Sequence, residues 1–150
     1  MITLKETTKY DDHIISNLVS KLLSELRRKE VKESEILSIC KTLNQTDERW
    51  HAYIAYDGNI PIGIITIYKV SAIYANGLIG IIQELYVESD YRNAGVGKLL
   101  IHEAVKYGRT HNFKNLEVGT PNVEKWPQTF KFYKNQNFKT IGDRMKLFLF

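Results

Sequence analysis

Residues Tyr91–Leu100 read Y-R-N-A-G-V-G-K-L-L. An apolar, strand-like run ends just before this stretch. An amphipathic helical pattern begins inside it, with Val96, Leu99, Leu100 and Ala104 on one stripe, and runs to about Thr110. Two glycines, Gly95 and Gly97, with Arg92 ahead of them and Lys98 after, make a tight turn rich in donors. The first N–H groups of a helix have no carbonyl partner, and the helix dipole favours negative charge there, so the turn suits a phosphate-bearing ligand. Spacing excludes two phosphate loops. A G-x-x-x-x-G-K-[ST] loop fails because Arg92 stands at its first glycine and Leu99 at its hydroxyl position. The dinucleotide pattern G-x-G-x-x-G fails at Leu100, and the turn follows hairpins instead of opening a first parallel β-α unit. What remains is R-x-x-G-x-G between a strand and a helix, which also reads as a plain glycine-rich connector.

Working outward, Ile2 to Lys9 alternates weakly and reads as a first strand. Asp11-Asp12 is placed to cap a helix over about His13 to Lys29, with Ile14, Leu18, Leu22 and Leu26 at intervals of four. Glu33 to Leu43 reads as a second helix, with Ile36, Leu37 and Cys40 on one face. Arg49 to Tyr56 and Ile60 to Tyr68 are strands joined by Asp57-Gly58-Asn59, and the second runs on towards Tyr74. Asn76-Gly77 marks the next hairpin, into a strand from Leu78 to Val87. After the glycine turn and its helix come a short strand, Leu116 to Gly119, and a helix opened by Pro127. Trp126, Phe130 and Tyr133 share a face of that helix, and Asn137 suits a left-handed cap at its end. Two last strands, Phe138 to Ile141 and Met145 to Phe150, are expected. The element order is βααβββαβαββ, an α/β (α+β) fold with a mixed, mostly antiparallel sheet flanked by helices, in a single domain spanning 1–150.

The chain has 150 residues, 43% hydrophobic and 25% charged, which is enough for one domain with a real core. No apolar run approaches the length of a membrane span, and the N-terminus lacks the apolar block of a signal peptide. The single cysteine, Cys40, leaves no internal disulfide and suits a reducing compartment, so a cytoplasmic location is expected. Net charge is +4, but the basic residues are dispersed and no basic stripe with interleaved aromatics appears; nucleic acid is not an expected partner. His13, His51, His102 and His111 show no metal-ligand spacing, so no metal is expected.

With its surroundings the glycine turn resembles the GNAT superfamily of N-acetyltransferases. E-L-Y-V (Glu84 to Val87) runs into Y-R-N-A-G-V-G-K-L-L as in that family's acetyl-CoA motif, and F-Y-K-N-Q-N-F (Phe132 to Phe138) is similar to its F-Y-x-x-x-G-F pattern. The element order is similar too, so the resemblance covers nearly the whole chain. It implies acetyl-CoA as co-substrate. Backbone N–H groups of Arg92, Asn93, Ala94, Gly95, Val96, Gly97 and Lys98 would receive the pyrophosphate, with the Arg92 and Lys98 side chains adding positive charge. Leu85, Tyr86 and Val87 would pair with the pantetheine arm, and a backbone N–H there would polarise the thioester carbonyl.

The resemblance also implies the reaction, direct acetyl transfer to a primary amine of a small molecule or peptide within a ternary complex. A lysine-like amine has a pKa of about 10.4, so a base must take its proton and an acid must serve the departing thiolate. Tyr133 is the candidate acid by its position in the family pattern; by spacing alone it belongs to the aromatic stripe with Phe130 and Trp126. Glu84 is the candidate base, on a strand otherwise rich in Ile and Leu, where a carboxylate must face a wet cleft or be paired. Strict alternation puts Ile82, Glu84 and Tyr86 on one face. A paired structural glutamate, or a water chain as base, are the alternatives. Asn122, after Thr120-Pro121, is a candidate cofactor contact or a turn residue. The chain departs from the family at Asn137, where glycine is usual, and at Trp126, where the helix start lacks a small residue. A module of the same fold that senses acetyl-CoA without turnover is the alternative function. Family members often pair as homodimers, and Leu147 to Phe150, L-F-L-F, suits an internal strand or a dimer seam.

Overall fold

Turn chemistry sets the frame of the sheet. Gly58 in the first hairpin turn has φ +60°, and Asn76 and Gly77 in the second have φ +53° and +154°, values that asparagine and glycine tolerate at least cost. The computed structural model describes residues 1–150, which divide into two units, Met1–Glu117 and Val118–Phe150. The first contains β1 (Ile2–Glu6), α1 (Asp12–Arg27), α2 (Glu33–Thr46), β2 (Trp50–Asp57), β3 (Ile60–Ala72), β4 (Gly77–Val87), a 3-10 turn (Ser89–Tyr91) and α3 (Val96–Thr110), with β5 (Leu116–Val118) at the boundary. The second contains α4 (Pro127–Asn135). Sheet order is β1-β2-β3-β4-β5, and β1 to β4 pair antiparallel. The mixed, mostly antiparallel α/β class read from the sequence holds.

The sheet buries both faces. On one, Trp50, Ala52, Ile54 and Ile64 pack with Ile15, Leu18 and Val19 of α1, Cys40 of α2, and Tyr86. Each fully buried Ile or Leu contributes about 1.5–3 kcal/mol relative to exposure. Asp12 is buried beneath these helices, its carboxylate accepting from Asn44 Nδ2 at 2.9 Å and from Gln45 Nε2, which ties the end of α2 to the start of α1. On the other face, Val96, Leu100, Ile101 and Ala104 of α3 are buried. Gly63 admits α3 there: a Cβ at this position would come within 2.9 Å of the Tyr86 carbonyl oxygen and 3.3 Å of Leu100 Cδ1.

Several details differ from the sequence reading. The Asp11 carboxylate does not cap α1; it accepts instead from the Thr8 N–H at 2.6 Å and the Thr8 hydroxyl at 3.0 Å. The buried stripe of α1 centres on Ile15, Leu18 and Val19, leaving Leu26 exposed, and Leu99 of α3 is also exposed. The first strand stops at Glu6.

In the second unit, Pro127 opens α4, and Asn137 at φ +68° closes it, with Phe138 N–H bonded to the Tyr133 carbonyl at 3.1 Å. The two final strands do not form: the strand order ends at β5, and 139–150 is irregular. Met145, Leu147, Phe148, Leu149 and Phe150 are exposed. Apolar, β-prone residues make a strand only when a neighbour completes the backbone ladder.

Candidate active site

The site starts with a miscount between two strands. Ile65 pairs with Leu85 and Ile67 with Ile82, so the single β3 residue Thr66 faces two residues of β4, Gln83 and Glu84. This β-bulge resets the alternation. Tyr86, opposite Ile64, lies on the α1–α2 face, while Ile82, opposite Ile67, lies on the α3 face. The face shared by Ile82, Glu84 and Tyr86 in the sequence reading is therefore corrected: Glu84 keeps company with Tyr86 and not with Ile82.

Glu84 is held by Thr66. The Thr66 hydroxyl donates to Glu84 Oε1 at 3.0 Å and accepts the Glu84 backbone N–H at 3.0 Å. Burial pushes the Glu84 carboxyl above its ordinary 4.5, and the Thr66 bond pulls the other way. Nearby Cys40 is buried, and its thiol is pushed up to about 11 by burial and then by the Glu84 and Asp12 charges. A thiol this basic is protonated at neutral pH and is no nucleophile, in keeping with its reading as a core residue.

Beyond Glu84, Leu85, Tyr86 and Val87 pair on one edge with Ile65, Ile64 and Gly63. The approach of Lys114 and Asn115 to the other edge is at Leu78 and Gly80, in the first half of β4. Burial pushes the Tyr86 phenol up to about 12, and its hydroxyl donates to Glu88 Oε2 at 3.3 Å.

The turn into α3 is a chain of unsatisfied donors. Tyr91 and Arg92 N–H groups are taken by the Glu88 and Ser89 carbonyls at 2.9 and 3.3 Å. The first helical bond is Leu99 N–H to Gly95 O at 3.1 Å. Between them, the N–H groups of Asn93, Ala94, Gly95, Val96, Gly97 and Lys98 meet no carbonyl of the chain. Asn93 at φ +64° and Gly95 at φ +84° take left-handed backbone, which curls successive N–H groups into an anion-binding concavity. A Cβ on Gly95 would meet nothing within 4 Å, so its conformation, not its size, requires glycine.

The Arg92 expectation needs correcting twice. Its N–H is already bonded, so the donor row begins at Asn93. Its guanidinium is also engaged: Nη2 meets Glu25 Oε1 at 2.6 Å and Nε donates to the Val87 carbonyl at 2.9 Å, with the group 5.5 Å from the Tyr86 ring centroid. Lys21 pairs with Glu88 close by. Two ion pairs thus stitch α1 to the ends of this turn, while Lys98 is exposed with its charge unpaired.

Glu84, Leu85–Val87 and Asn93–Lys98 are brought together on consecutive segments of the first unit. Tyr133 and Asn122 belong to the second. Tyr133 is buried, edge-on to Phe132 and Phe138 with ring centroids 5.3 and 5.4 Å apart, and burial pushes its phenol well above the ordinary value of 10.0. Asn122 acts locally, its Oδ1 accepting the N–H groups of Glu124 and Lys125 at 3.0 and 2.9 Å.

The sequence profile of the acetyltransferase (GNAT) family matches residues 15–138. The chain belongs to the GNAT family. No curated protein matches it. Solved structures with the same fold include a ribosomal-protein-alanine N-acetyltransferase from Brucella melitensis biovar Abortus 2308, 18% identical, covering 100% of both chains with a TM-score of 0.79. Another is the aminoglycoside N-acetyltransferase AAC(6')-Iy in complex with CoA, 16% identical over 99% of this chain and 93% of that one, TM-score 0.80. A third is an aminoglycoside acetyltransferase from an uncultured soil metagenomic sample, 17% identical over 99% and 96%, TM-score 0.78. In this GNAT chain the sequence reading passed over the partners Thr66 and Glu25. Thr66 had a signal, as the lone hydroxyl in the apolar run I-G-I-I-T-I, where a buried polar group needs a partner. Glu25 had none, because its partner lies 67 residues away.

Proposed function

We propose that this GNAT protein transfers an acetyl group from acetyl-CoA to a primary amine, directly and without an acetyl-enzyme intermediate. The observation that carries the reading is the unpartnered N–H row of Asn93–Lys98 at the start of α3, downstream in the chain of a half-buried carboxylate on a bulged strand. A diphosphate fits this concavity: it needs several converging donors, no opposing carboxylate, and a helix dipole behind them. Acetyl-CoA supplies the activated acyl group.

The chain's own groups do the rest. Glu84 takes a proton from the amine, directly or through a water. A backbone N–H within Leu85–Val87 donates to the carbonyl oxygen where negative charge develops, a donor fixed before the reaction starts. Tyr133, kept protonated by burial, gives its proton to the departing thiolate as the C–N bond forms and the C–S bond breaks. Asn122 is a cofactor contact in this reading, and residues 1–150 form a single N-acetyltransferase domain, a reading supported by a family match over residues 15–138. The acceptor is a small-molecule or peptide amine, and the location is cytoplasmic. No helix is long and apolar enough to cross a membrane.

An amine panel read by release of free CoA thiol tests the reading. Turnover is expected with at least one primary amine, and Tyr133→Phe is expected to lower kcat by roughly 10²-fold while leaving stabilisation by acetyl-CoA unchanged. Thermal stabilisation by acetyl-CoA with no thiol released across the panel would move the assignment to an acetyl-CoA-sensing module.

A further inference from the structure

The Thr66 side chain is fully buried, and its hydroxyl has one proton to give. The Glu84 N–H occupies one of its lone pairs, so the single O–H points to Glu84 Oε1. Oε1 is thereby held, and Oε2 is the oxygen with no partner. We infer that Thr66 is the positioning residue of the reaction: it locks the Glu84 carboxylate by Oε1 and presents Oε2 as the proton acceptor. This rests on the proposed role of Glu84 as base.

The surroundings give Thr66 this task alone. No cation faces Glu84. The groups that do are the neutral Cys40 thiol from α2 and the Thr66 hydroxyl from β3, while Asp12 of α1 acts on Cys40 and is itself bonded by Asn44 and Gln45. A carboxylate partly withdrawn from water is stabilised in its charged form by hydrogen bonds or opposite charge, and here the Thr66 hydroxyl is the side chain that supplies one. The same oxygen takes the N–H that the bulge removes from the ladder. Position and ionisation of the carboxylate are therefore set by one side chain that touches no substrate.

The test uses the full chain with Thr66→Val, Thr66→Ser and Glu84→Gln, the last also assigning the Glu84 signal. Two quantities are measured: the carbon-13 carboxyl titration of Glu84 in the free protein, and the pH profile of kcat/KM for acetyl transfer from acetyl-CoA to the best amine of the panel. Thr66→Val is expected to move the Glu84 titration and the acidic limb of the profile upward together and to lower kcat/KM roughly tenfold at neutral pH. Thr66→Ser is expected to restore both. Should the valine variant not fold, Thr66→Cys, a much weaker donor of similar shape, carries the same expectation. A Glu84 titration unmoved in Thr66→Val overturns the inference, as does an activity loss equal at every pH. Wild-type transfer by Glu84→Gln overturns it by a separate route, because the base assignment itself then fails, whatever the titration shows.

Discussion

Glu84 carries opposed demands. As the proposed base it must be ionised, yet its desolvation favours the protonated form. Because the folded-state pKa is raised above the ordinary 4.5, the folded state holds this proton more tightly than the unfolded state. Its ionisation therefore costs no stability below 4.5, and the cost grows as pH rises through the window between 4.5 and the raised value. Glu84→Gln removes that cost. The variant is expected to melt a few degrees above wild type at pH 8, with the gap closing below pH 4.5, as followed by thermal unfolding in a pH series. Its acetyl-transfer rate is expected to fall by roughly 10²-fold or more at neutral pH. A melting gap that widened on acidification would contradict a raised Glu84 pKa.

Between β3 and α3 the fit depends on one missing methyl group. A Cβ at Gly63 would press on the backbone carbonyl of Tyr86 and on the Leu100 side chain, so Gly63→Ala is expected to cost about 1–3 kcal/mol in urea unfolding, as overpacking does. Acetyl-CoA binding should weaken with it, since α3 carries half of the donor row. The ion pairs on the turn behave differently. Arg92 and Glu25 are each about two-fifths exposed, at 41% and 42%, and such pairs contribute about 0–1 kcal/mol to stability. Glu25→Gln should therefore leave the melting temperature nearly unchanged while freeing the guanidinium, tightening acetyl-CoA binding several-fold in calorimetry, most at low salt. The hairpins, the glycine turn and the Pro127 helix start were legible in the sequence because each is set by a few adjacent residues. The Thr66 bulge was not, because I-I-Q-E-L-Y alternates acceptably by itself and only pairing with β3 reveals the extra residue. The partner of Arg92 and the absence of strands after Phe138 were hidden for the same reason. Both depend on what the fold brings alongside, not on neighbours in the chain.

At the scale of the whole molecule, the two faces of the sheet separate two tasks. The α1–α2 face holds Glu84 and Tyr86, and the segment that leaves β4 delivers the donor row of α3. A net charge of +4 favours approach of an anionic ligand to such a site and makes its association rate fall with salt. The bulge that joins the two tasks has a consequence for chain length. β4 carries one residue more than its ladder with β3 needs. Deleting Gln83 would set Ile82 opposite Ile67, Glu84 opposite Thr66 and Leu85 opposite Ile65, a continuous ladder with every side chain on its present face. Such a protein is expected to melt at or above the wild-type temperature and yet to transfer acetyl groups roughly tenfold more slowly, as Thr66→Val does, because the Glu84 N–H would return to the ladder and leave the Thr66 hydroxyl. Anyone grafting or shuffling this strand must preserve its residue count before its residue identities.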